Sequence, residues 1–342
     1  MAVLLSTHPR FADHRTGTLH PERPARLEAV LAGARAARLG DDLLRVTPRM
    51  ATRAELGLVH EQRLVDAIEA FCGAGGGHLD ADTTASAGSF AAAALAVGAG
   101  LDAIERLDRG EGDAAFCAVR PPGHHATPQR AMGFCLLNSV AVAAATLAAR
   151  GERVLVVDYD AHHGNGTQAA FESDPRVVYV SMHQFPLYPG TGAIDDVGEG
   201  PGRGATVNVP FPPGTTGDVY LAALDEVVAP VAEEQRPTWL LLSAGFDLHR
   251  DDPLTGLGLT AGDVGLLTSR LLALVPRRRC VAFLEGGYDL AAVANCTTAC
   301  LVAMAGGRDG DYERLRESEP CSSGGPGRAV VTAVAAQRRH HA

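Results

Sequence analysis

Alternating acidic and imidazole side chains follow a strand candidate in the middle of the chain. Asp158, Asp160 and His162 come directly after the uncharged run 154–157, and residues 163–166 are typical of a loop. Residues two apart in an extended chain project to the same side, so we predict that the three side chains line one face about 7 Å apart. A solvated turn is the alternative. Because open parallel sheets bind ligands at C-terminal strand ends, the pattern favours a metal or catalytic site.

Two adjacent histidines lie upstream, in a segment that proline and glycine stiffen. His124 and His125 follow residues 120–123, which themselves follow the apolar strand candidate 114–119. Two prolines and a glycine place the imidazoles on a constrained loop and not in a helix interior. A surface loop is the alternative for a lone His-His pair, but a rigid turn at a second strand end favours a functional role.

Two more segments deliver a polar residue just after an apolar run. Asp247 follows the run that begins at Trp239, and Tyr288 follows the run that begins at Val281. Each run is typical of a buried strand. Alone, Asp247 could cap a helix and Tyr288 could pack as a core aromatic. Four strand ends that each supply Asp, His or Tyr instead predict one shared site.

These segments, in this order, resemble the zinc-dependent histone deacetylase family, including its class II-like bacterial amidohydrolases and the acetylpolyamine amidohydrolases. The similarity starts near residues 20–27, covers nearly the whole chain and extends to a final helical stretch at 329–341. It implies an arginase/deacetylase-like α/β fold. The motifs that carry it are Arg120-Pro121-Pro122-Gly123-His124-His125-Ala126, Met132-Gly133-Phe134-Cys135, Asp158-Tyr159-Asp160-Ala161-His162-His163-Gly164-Asn165-Gly166, Ser243-Ala244-Gly245-Phe246-Asp247 and Glu285-Gly286-Gly287-Tyr288.

The resemblance implies one catalytic zinc ion per chain, bound by Asp160, His162 and Asp247. Zinc in hydrolases usually keeps three protein ligands and an open position, and this set offers the matching count. A bound zinc ion polarises carbonyl groups and lowers the pKa of water to about 7. Family members also hold a potassium ion nearby. The corresponding ligands here, mostly backbone carbonyls, would come from Asp158, Asp160, His162, Ser181 and Met182.

The family's catalytic roles carry over to five positions of this sequence. His125 is expected to act as general base and then as general acid to the leaving amine, with His124 as its electrostatic partner. Asp158 would hydrogen-bond His124, and Asn165 would hydrogen-bond His125. A neutral Asn, where some branches have Asp, should leave His125 with a lower pKa. Tyr288 would donate its hydroxyl to the developing oxyanion.

The resemblance also assigns residues to a narrow tunnel for the acylated stem of the substrate. Phe134 and Tyr188 would form its aromatic walls, and the Gly133 carbonyl would accept the substrate amide N–H. Leu254 would border the mouth, where polyamine-selective relatives of this branch place an acidic residue. An apolar residue there favours a peptide backbone over a polyamine, because it cannot pair with a distal ammonium group.

Two assignments at the edges of this site keep their alternatives open. Asp82 is the candidate rim acid that holds the substrate backbone, although the nearby Asp80 leaves the alignment uncertain by two residues. Arg26 is the candidate that lines an exit channel for acetate. Its alternative is an arginine on the surface of a helix.

Bulk properties narrow the classes of function. The 342 residues are 46% hydrophobic and carry a net charge of -10. An acidic chain without a long Lys/Arg run is not expected to bind nucleic acid directly, whereas it suits cationic substrates. Seven cysteines without a Cys-x-x-Cys pair indicate free thiols in a reducing compartment. Because no apolar run has the length of a membrane span, we expect a cytoplasmic protein without membrane contact.

Length alone would suggest two domains, but strand and helix signals continue without a linker from about residue 58 to residue 305. We therefore predict one α/β domain, residues 1–342, with a mainly parallel β-sheet flanked by helices. Residues 322–327 are rich in Ser and Gly and predict a flexible connector to the last helix. The predicted strands are 114–119, 154–159, 177–181, 205–209, 238–243 and 280–284, and the predicted helices include 23–39, 51–71, 90–105 and 139–149.

The leading functional hypothesis is zinc-dependent removal of an acetyl group from a lysine side chain of a peptide or protein. An acetylpolyamine or small-metabolite amidohydrolase, acting on an acetylated small amine, is the alternative with the same chemistry. A two-manganese ureohydrolase would need additional Asp and His ligands. A non-catalytic acyl-lysine binding protein would not need the complete set of catalytic residues. The sequence is compatible with an oligomer and selects no physiological substrate.

Overall fold

A parallel β-sheet of eight strands forms the centre of the computed structural model, which describes residues 1–307 and 318–341. The strands are β1 (Val3–Ser6), β2 (Leu43–Val46), the separate antiparallel pair β3 (Gly76–His78) and β4 (Thr84–Ser86), β5 (Ala114–Cys117), β6 (Val154–Asp158), β7 (Val177–Gln184), β8 (Thr206–Phe211), β9 (Trp239–Ala244) and β10 (Cys280–Leu284). The order in the large sheet is β2-β1-β5-β10-β9-β6-β7-β8. The predicted fold class is confirmed.

The central strands are apolar on both faces, which is what a parallel sheet covered by helices requires. Every residue of β5, β6, β9 and β10 is buried. All six predicted strands are present, and β7 continues to Gln184, beyond its predicted end. The pattern does not predict β1, whose four residues are all buried, or β2, which is partly exposed.

Helices flank this sheet in two groups, with α1, α9 and α10 packed together in one and α4 packed on α5 in the other. None of the helices in the described part of the chain is both long and apolar enough to cross a membrane. The helices are α1 (Ala25–Ala36), α2 (Arg53–Leu56), α3 (Gln62–Gly73), α4 (Ser89–Asp108), α5 (Ser139–Ala149), α6 (Asn165–Phe171), α7 (Gly217–Ala223) with a π-helical turn (Leu224–Val228), α8 (Ala229–Gln235), α9 (Ala261–Leu272), α10 (Leu290–Met304) and α11 (Arg328–His341).

The predicted helices agree with the structure except where an extended residue divides one of them. The stretch 51–71, predicted as one helix, forms α2 and α3, because α2 ends at Leu56 with Gly57 as its C-cap and the chain is extended at Glu61 before α3 begins. Helix α5 has the predicted bounds, and α4 extends beyond 90–105 at both ends.

The C-terminal segment is held in place, so the predicted flexible connector at 322–327 is wrong. The Ser322 hydroxyl donates to the Asp263 carboxylate at 2.6 Å, and the Gly325 N–H donates to Thr216 Oγ1 at 2.8 Å. Polar groups at the start of α7 and α9 thus fix a segment whose composition alone indicates flexibility. Helix α11 then packs beside β8, and its valines at 331 and 334 are buried.

Candidate active site

Four neighbouring strands bring the predicted site residues to one edge of the sheet. The order β5-β10-β9-β6 places the loops that follow these strands side by side. The loop after β5 carries the two histidines, the loop after β6 carries Asp160 and His162, the loop after β9 carries Asp247, and the loop after β10 carries Tyr288. Parallel strands point their C-terminal ends in the same direction, so residues distant in sequence meet there.

Asp160, His162 and Asp247 form a buried cluster with the geometry of a metal site. Their candidate ligand atoms lie within 4.8 Å of one another. His162 Nδ1 is 2.9 Å from Asp247 Oδ2 and 3.3 Å from Asp160 Oδ1. Two carboxylates and one imidazole are a donor set that zinc accepts, with room for a further ligand.

The chain reaches this geometry through turns, so the predicted extended arrangement of Asp158, Asp160 and His162 is wrong. Strand β6 ends at Asp158. The Asp160 N–H then donates to Asp158 Oδ1 at 3.2 Å, and the His162 N–H donates to Asp160 Oδ1 at 2.9 Å. Carboxylates commonly bind backbone two residues onward in this way. The turns bring Asp160 and His162 together and leave Asp158 to face another loop.

Backbone groups orient both carboxylates of the cluster. Gly286 N–H donates to Asp160 Oδ2 at 2.7 Å, and Ala161 N–H donates to Asp247 Oδ1 at 2.9 Å. A Cβ atom at Gly245 would collide with the Asp160 carboxylate, and one at Gly286 would collide with that of Asp247. Glycine at both positions is therefore required for the carboxylates to meet.

The electrostatics of the cluster favour a cation. Burial alone would lower the pKa of His162, but hydrogen bonds to Asp160 and Asp247 raise it to about 10. Burial and the neighbouring Asp160 carboxylate raise the pKa of Asp247 to about 7, despite the opposing effect of His162. His162 and Asp247 thus hold protons that a divalent metal ion displaces when it binds. The residues present fit a zinc ion.

The two histidines are oriented by different partners. His124 Nδ1 is 3.0 Å from Asp158 Oδ2, which also accepts the Tyr179 hydroxyl at 3.0 Å. His125 Nδ1 is 2.8 Å from Asn165 Oδ1. If Asn165 accepts through this oxygen, His125 carries its proton on Nδ1, and Nε2 is left as a base. The structure therefore forms both hydrogen bonds that the resemblance implies.

The environments of the two histidines push their pKa values apart. Burial lowers the pKa of His124, but Asp160, Asp158 and the buried Glu285 together raise it well above its ordinary value. Burial, and then the charges of His124 and His162, lower the pKa of His125 well below its ordinary value. A neutral imidazole beside a cationic one matches a base with an electrostatic partner.

Glu285 holds the loop of the two histidines, a role that the sequence analysis missed. Its Oε2 accepts the N–H groups of Gly123 at 2.6 Å and His124 at 3.1 Å. The side chain is buried, and burial raises its pKa to about 7 against the lowering effect of His124. The available signal was a charged residue immediately after the buried strand β10, where an apolar residue would continue the core.

A pocket of about 230 Å³ opens above this cluster. The rings of Phe134 and Tyr288 meet edge to face at 5.8 Å, and the ring of Tyr188 meets His125 edge to face at 5.1 Å. Aromatic walls of this kind suit an aliphatic stem. The structure brings all five predicted substrate-binding residues together here, with Leu187 in addition. The lining residues are Asp82, His125, Gly133, Phe134, His162, Leu187, Tyr188, Leu254 and Tyr288.

A turn with two left-handed residues presents the aromatic wall. Gly133 has φ of +57°, and Phe134 has φ of +67°, a conformation that few residues other than glycine adopt. A Cβ at Gly133 would lie 2.5 Å from the His125 ring, so glycine lets the backbone approach it. The Phe134 N–H donates to Thr83 Oγ1 at 3.2 Å, which joins this turn to the loop of Asp82.

The two acidic candidates at the rim have different environments. Asp80 Oδ1 accepts the N–H groups of Asp82 at 3.1 Å and Thr83 at 2.7 Å, so Asp80 caps its own turn. Asp82 lines the pocket. Of the two alternatives, the geometry favours Asp82 as the rim acid. Leu254 also stands at this rim, with 38% of its surface exposed.

Arg26 lies in a buried ion cluster behind the Tyr288 loop, so the surface-helix alternative is wrong. Its guanidinium donates to the carbonyls of Gly287 and Glu285, both at 2.5 Å, and Nη1 is 3.2 Å from Glu22 Oε1. Arg120 also binds Glu22, at 2.5 and 2.6 Å. Both arginines and Glu22 are fully buried. One carboxylate therefore binds both guanidinium groups in the core behind the site.

Replacing Glu22 with Gln is expected to lower the free energy of unfolding by about 3–5 kcal/mol, because the guanidinium groups of Arg26 and Arg120 would lose their carboxylate. Burial raises the pKa of Glu22, but Arg120 and His14 together hold it well below the ordinary value of 4.5. The carboxylate therefore stabilises the fold above pH 4.5, and this contribution is lost as the pH falls toward the lower folded pKa.

Urea denaturation of the wild type and of Glu22→Gln at several pH values measures this prediction, and the difference between them should narrow in acid. Glu69→Gln is the control, since Glu69 is half exposed and its ion pair with Arg53 should contribute about 0–1 kcal/mol. Equal destabilisation by the two substitutions would contradict the prediction.

The chain is similar to known deacetylases in sequence and in fold. The sequence model of the protein family described as the histone deacetylase domain matches residues 20–304 of this chain. A "probable deacetylase" of Archaeoglobus fulgidus is 37% identical over 318 residues, covering 91% of this chain and 88% of that protein. Histone deacetylase 15 of Arabidopsis thaliana is 41% identical over 293 residues, 84% of this chain and 53% of that longer protein. The crystal structure of the HDA15 HD domain matches with a TM-score of 0.90 and 35% identity, covering 99% of this chain and 94% of that domain.

The fold, the buried cluster at the C-terminal strand ends and these similarities agree with one another. The family match includes every predicted metal-binding and catalytic residue, since all lie within residues 20–304. The chain belongs to the histone deacetylase family, whose members hydrolyse acetyl amides and generally depend on zinc.

Proposed function

We propose that this protein is a zinc-dependent deacetylase that removes the acetyl group from lysine side chains of peptides or proteins. The buried cluster of Asp160, His162 and Asp247 at the foot of an aromatic-walled pocket carries this proposal. Its three donors would hold one zinc ion, which supplies Lewis acidity toward the amide carbonyl and lowers the pKa of water to about 7.

The residues around the cluster would move the protons of the reaction. His125, kept neutral, takes a proton from the attacking water and returns it to the leaving amine. His124, held cationic by Asp158 and its other acidic neighbours, stabilises the negative charge that develops beside it. The Tyr288 hydroxyl donates to the developing oxyanion, and its raised pKa, caused first by burial, keeps it protonated.

The pocket would position the substrate. Phe134 and Tyr188 enclose the methylene stem and exclude water, the Gly133 carbonyl accepts the substrate amide N–H, and Asp82 accepts backbone N–H groups at the rim. Arg26, at the back of the Tyr288 loop, would line the path by which acetate leaves.

Three further parts of the proposal concern the surroundings of the site. Residues 1–342 would form one catalytic domain, as the contacts of the C-terminal segment with the starts of α7 and α9 support. A potassium ion would bind among carbonyls of the β6 end and of Ser181 and Met182, since Ser181 is the β-sheet neighbour of Asp158. A two-manganese enzyme is not supported, because the candidate metal cluster found within 1–307 and 318–341 has three ligand residues, and two ions would need additional Asp and His ligands.

An acetyl-lysine peptide is favoured over an acetylpolyamine by the chemistry of the mouth. Leu254 offers no charge for a distal ammonium group, and both carboxylate oxygens of the adjacent Asp252 accept backbone N–H groups. A missing charge pair in a partly desolvated mouth costs a polyamine about 1–3 kcal/mol.

The test is a panel of acetyl-lysine peptides, longer acyl-lysines, acetylspermidine, acetylputrescine and small acetamides, each assayed with zinc present. We expect kcat/KM to be highest for an acetyl-lysine peptide. A preference of tenfold or more for acetylpolyamines would mean that the substrate is an acetylated polyamine, while the proposed deacetylation chemistry would still hold. Absence of deacylation on the whole panel would contradict the proposed activity.

Introducing an acid at the mouth should shift substrate preference. We expect Leu254→Glu to raise the ratio of kcat/KM for acetylspermidine to that for an acetyl-lysine peptide by about tenfold, the factor of one partly desolvated ion pair. Leu58→Glu is the matched control, because Leu58 is exposed and lies outside the pocket lining. Equal changes in the two variants would show that the effect comes from net charge and not from the mouth.

A further inference from the structure

A buried carboxylate outside the metal cluster joins two loops of the site. Asp252, in the loop after β9, is 5% exposed. Its Oδ2 accepts the Tyr288 N–H at 2.7 Å, and its Oδ1 accepts the Leu254 N–H at 2.9 Å. A buried charge whose oxygens bind backbone N–H groups is costly unless those bonds are well formed. Asp252 is therefore expected to have a role that offsets the cost of burying its charge.

One peptide group connects Asp252 to the proposed oxyanion donor. The peptide bond between Gly287 and Tyr288 accepts the Arg26 guanidinium through its carbonyl, at 2.5 Å, and donates to Asp252 through its N–H, at 2.7 Å. A cation therefore binds one end of this peptide group, and an anion binds the other. Charge-assisted hydrogen bonds are shorter and about twice as strong as neutral ones, so the plane of this peptide is fixed.

That plane would otherwise have freedom to turn. Gly287 has φ of +112°, a region open to glycine, and it follows Gly286. The orientation of the following peptide sets the direction of the Tyr288 side chain. The ring itself packs edge to face on Phe134 and lies 5.1 Å from the Arg26 guanidinium. Backbone restraint and ring packing together place the phenol in the pocket.

We propose that Asp252 is a positioning residue that, together with Arg26, clamps the Gly287–Tyr288 peptide and so aims the Tyr288 hydroxyl at the reacting carbonyl. The same carboxylate binds Leu254, so the mouth of the pocket and the oxyanion donor move as one unit. The proposal rests on the deacetylase function proposed above. The negative charge of Asp252 also adds to the raised pKa of Tyr288, after burial and the two metal-cluster carboxylates.

The test is a double-mutant cycle on the zinc-loaded protein. Asp252→Asn is expected to lower kcat on an acetyl-lysine peptide by about tenfold to a hundredfold, because one charge-assisted acceptor becomes an amide. Zinc content and KM should change little. In the Tyr288→Phe background the same substitution should change kcat by less than about threefold, because the hydroxyl that it positions is gone.

Asp251→Asn is the matched control, since the Asp251 side chain is 63% exposed. The kcat of this variant should stay at the wild-type value. Asp252→Glu, which keeps the charge but moves it by one methylene, should give an intermediate kcat. The proposal would be overturned if Asp252→Asn lowered kcat as strongly in the Tyr288→Phe background as in the wild type. It would also be overturned if kcat of Asp252→Asn were unchanged, or if its loss of kcat matched a loss of bound zinc.

A crystal structure of Asp252→Asn separates this proposal from the proposed function. The Tyr288 ring should be displaced or adopt more than one position, whereas in Asp251→Asn it should not move. If Asp252→Asn does not fold, Asp252→Glu is used for the same comparison. A ring that stays in place in both Asp252 variants overturns the clamp even if the wild type deacetylates, and a displaced ring supports it even if the wild type proves inactive on acetyl-lysine.

Discussion

Asp247→Asn is expected to abolish deacetylation and to remove most of the bound zinc. The amide oxygen can still accept the Ala161 N–H, which the native carboxylate binds at 2.9 Å, so the fold of the loop should survive. The charge that a divalent ion needs is lost. Because changing residues that only support metal ligands costs about 10–100-fold in affinity or activity, removing a ligand charge should cost more.

Zinc per chain measured by elemental analysis, together with kcat/KM on an acetyl-lysine peptide, tests this prediction. Asp251→Asn, an exposed neighbour of the same size and charge, should keep both quantities at wild-type values. Anomalous scattering at the zinc edge should show one ion among Asp160, His162 and Asp247. Two ions, or an ion bound by His124, would contradict the zinc deacetylase proposal in favour of a ureohydrolase-like site.

Tyr288→Phe is expected to lower kcat by roughly a hundredfold or more, the scale that follows the loss of one oxyanion donor. The substitution removes a single oxygen from a ring that packs on Phe134, so the wall of the pocket is kept. Substrate affinity, zinc content and thermal stability should therefore change little. The loss should fall on kcat and not on KM, because the hydroxyl acts in the transition state.

Steady-state kinetics with a good acetyl-lysine substrate, accompanied by zinc analysis and thermal unfolding, would measure these effects. Phe134→Ala gives a useful contrast, because it removes a wall and should raise KM as well as lower turnover. Unaltered turnover in Tyr288→Phe would mean that the phenol points away from the reacting carbonyl.

The sequence alone determined six of the eight strands of the large sheet and the edge of it that carries the site. Buried parallel strands need continuous apolar runs, and a polar residue directly after such a run must lie at the C-terminal end of the strand. This rule located the strand ends, and the resemblance of the motifs there assigned the histidine pair, Asp160, Asp247 and Tyr288 before any contact was known. Their roles in binding and catalysis stay predictions that the experiments above test.

Only the tertiary structure decided which side chain faces which. Arg26 is buried because Glu22 and two carbonyls receive it, and Asp82 lines the pocket while Asp80 caps a turn. The parts played by Glu285 and Asp252 were equally hidden, since their partners belong to other loops. Residue spacing records local geometry, whereas a contact such as that between Gly286 and Asp160, 126 positions apart, depends on the order in which strands assemble.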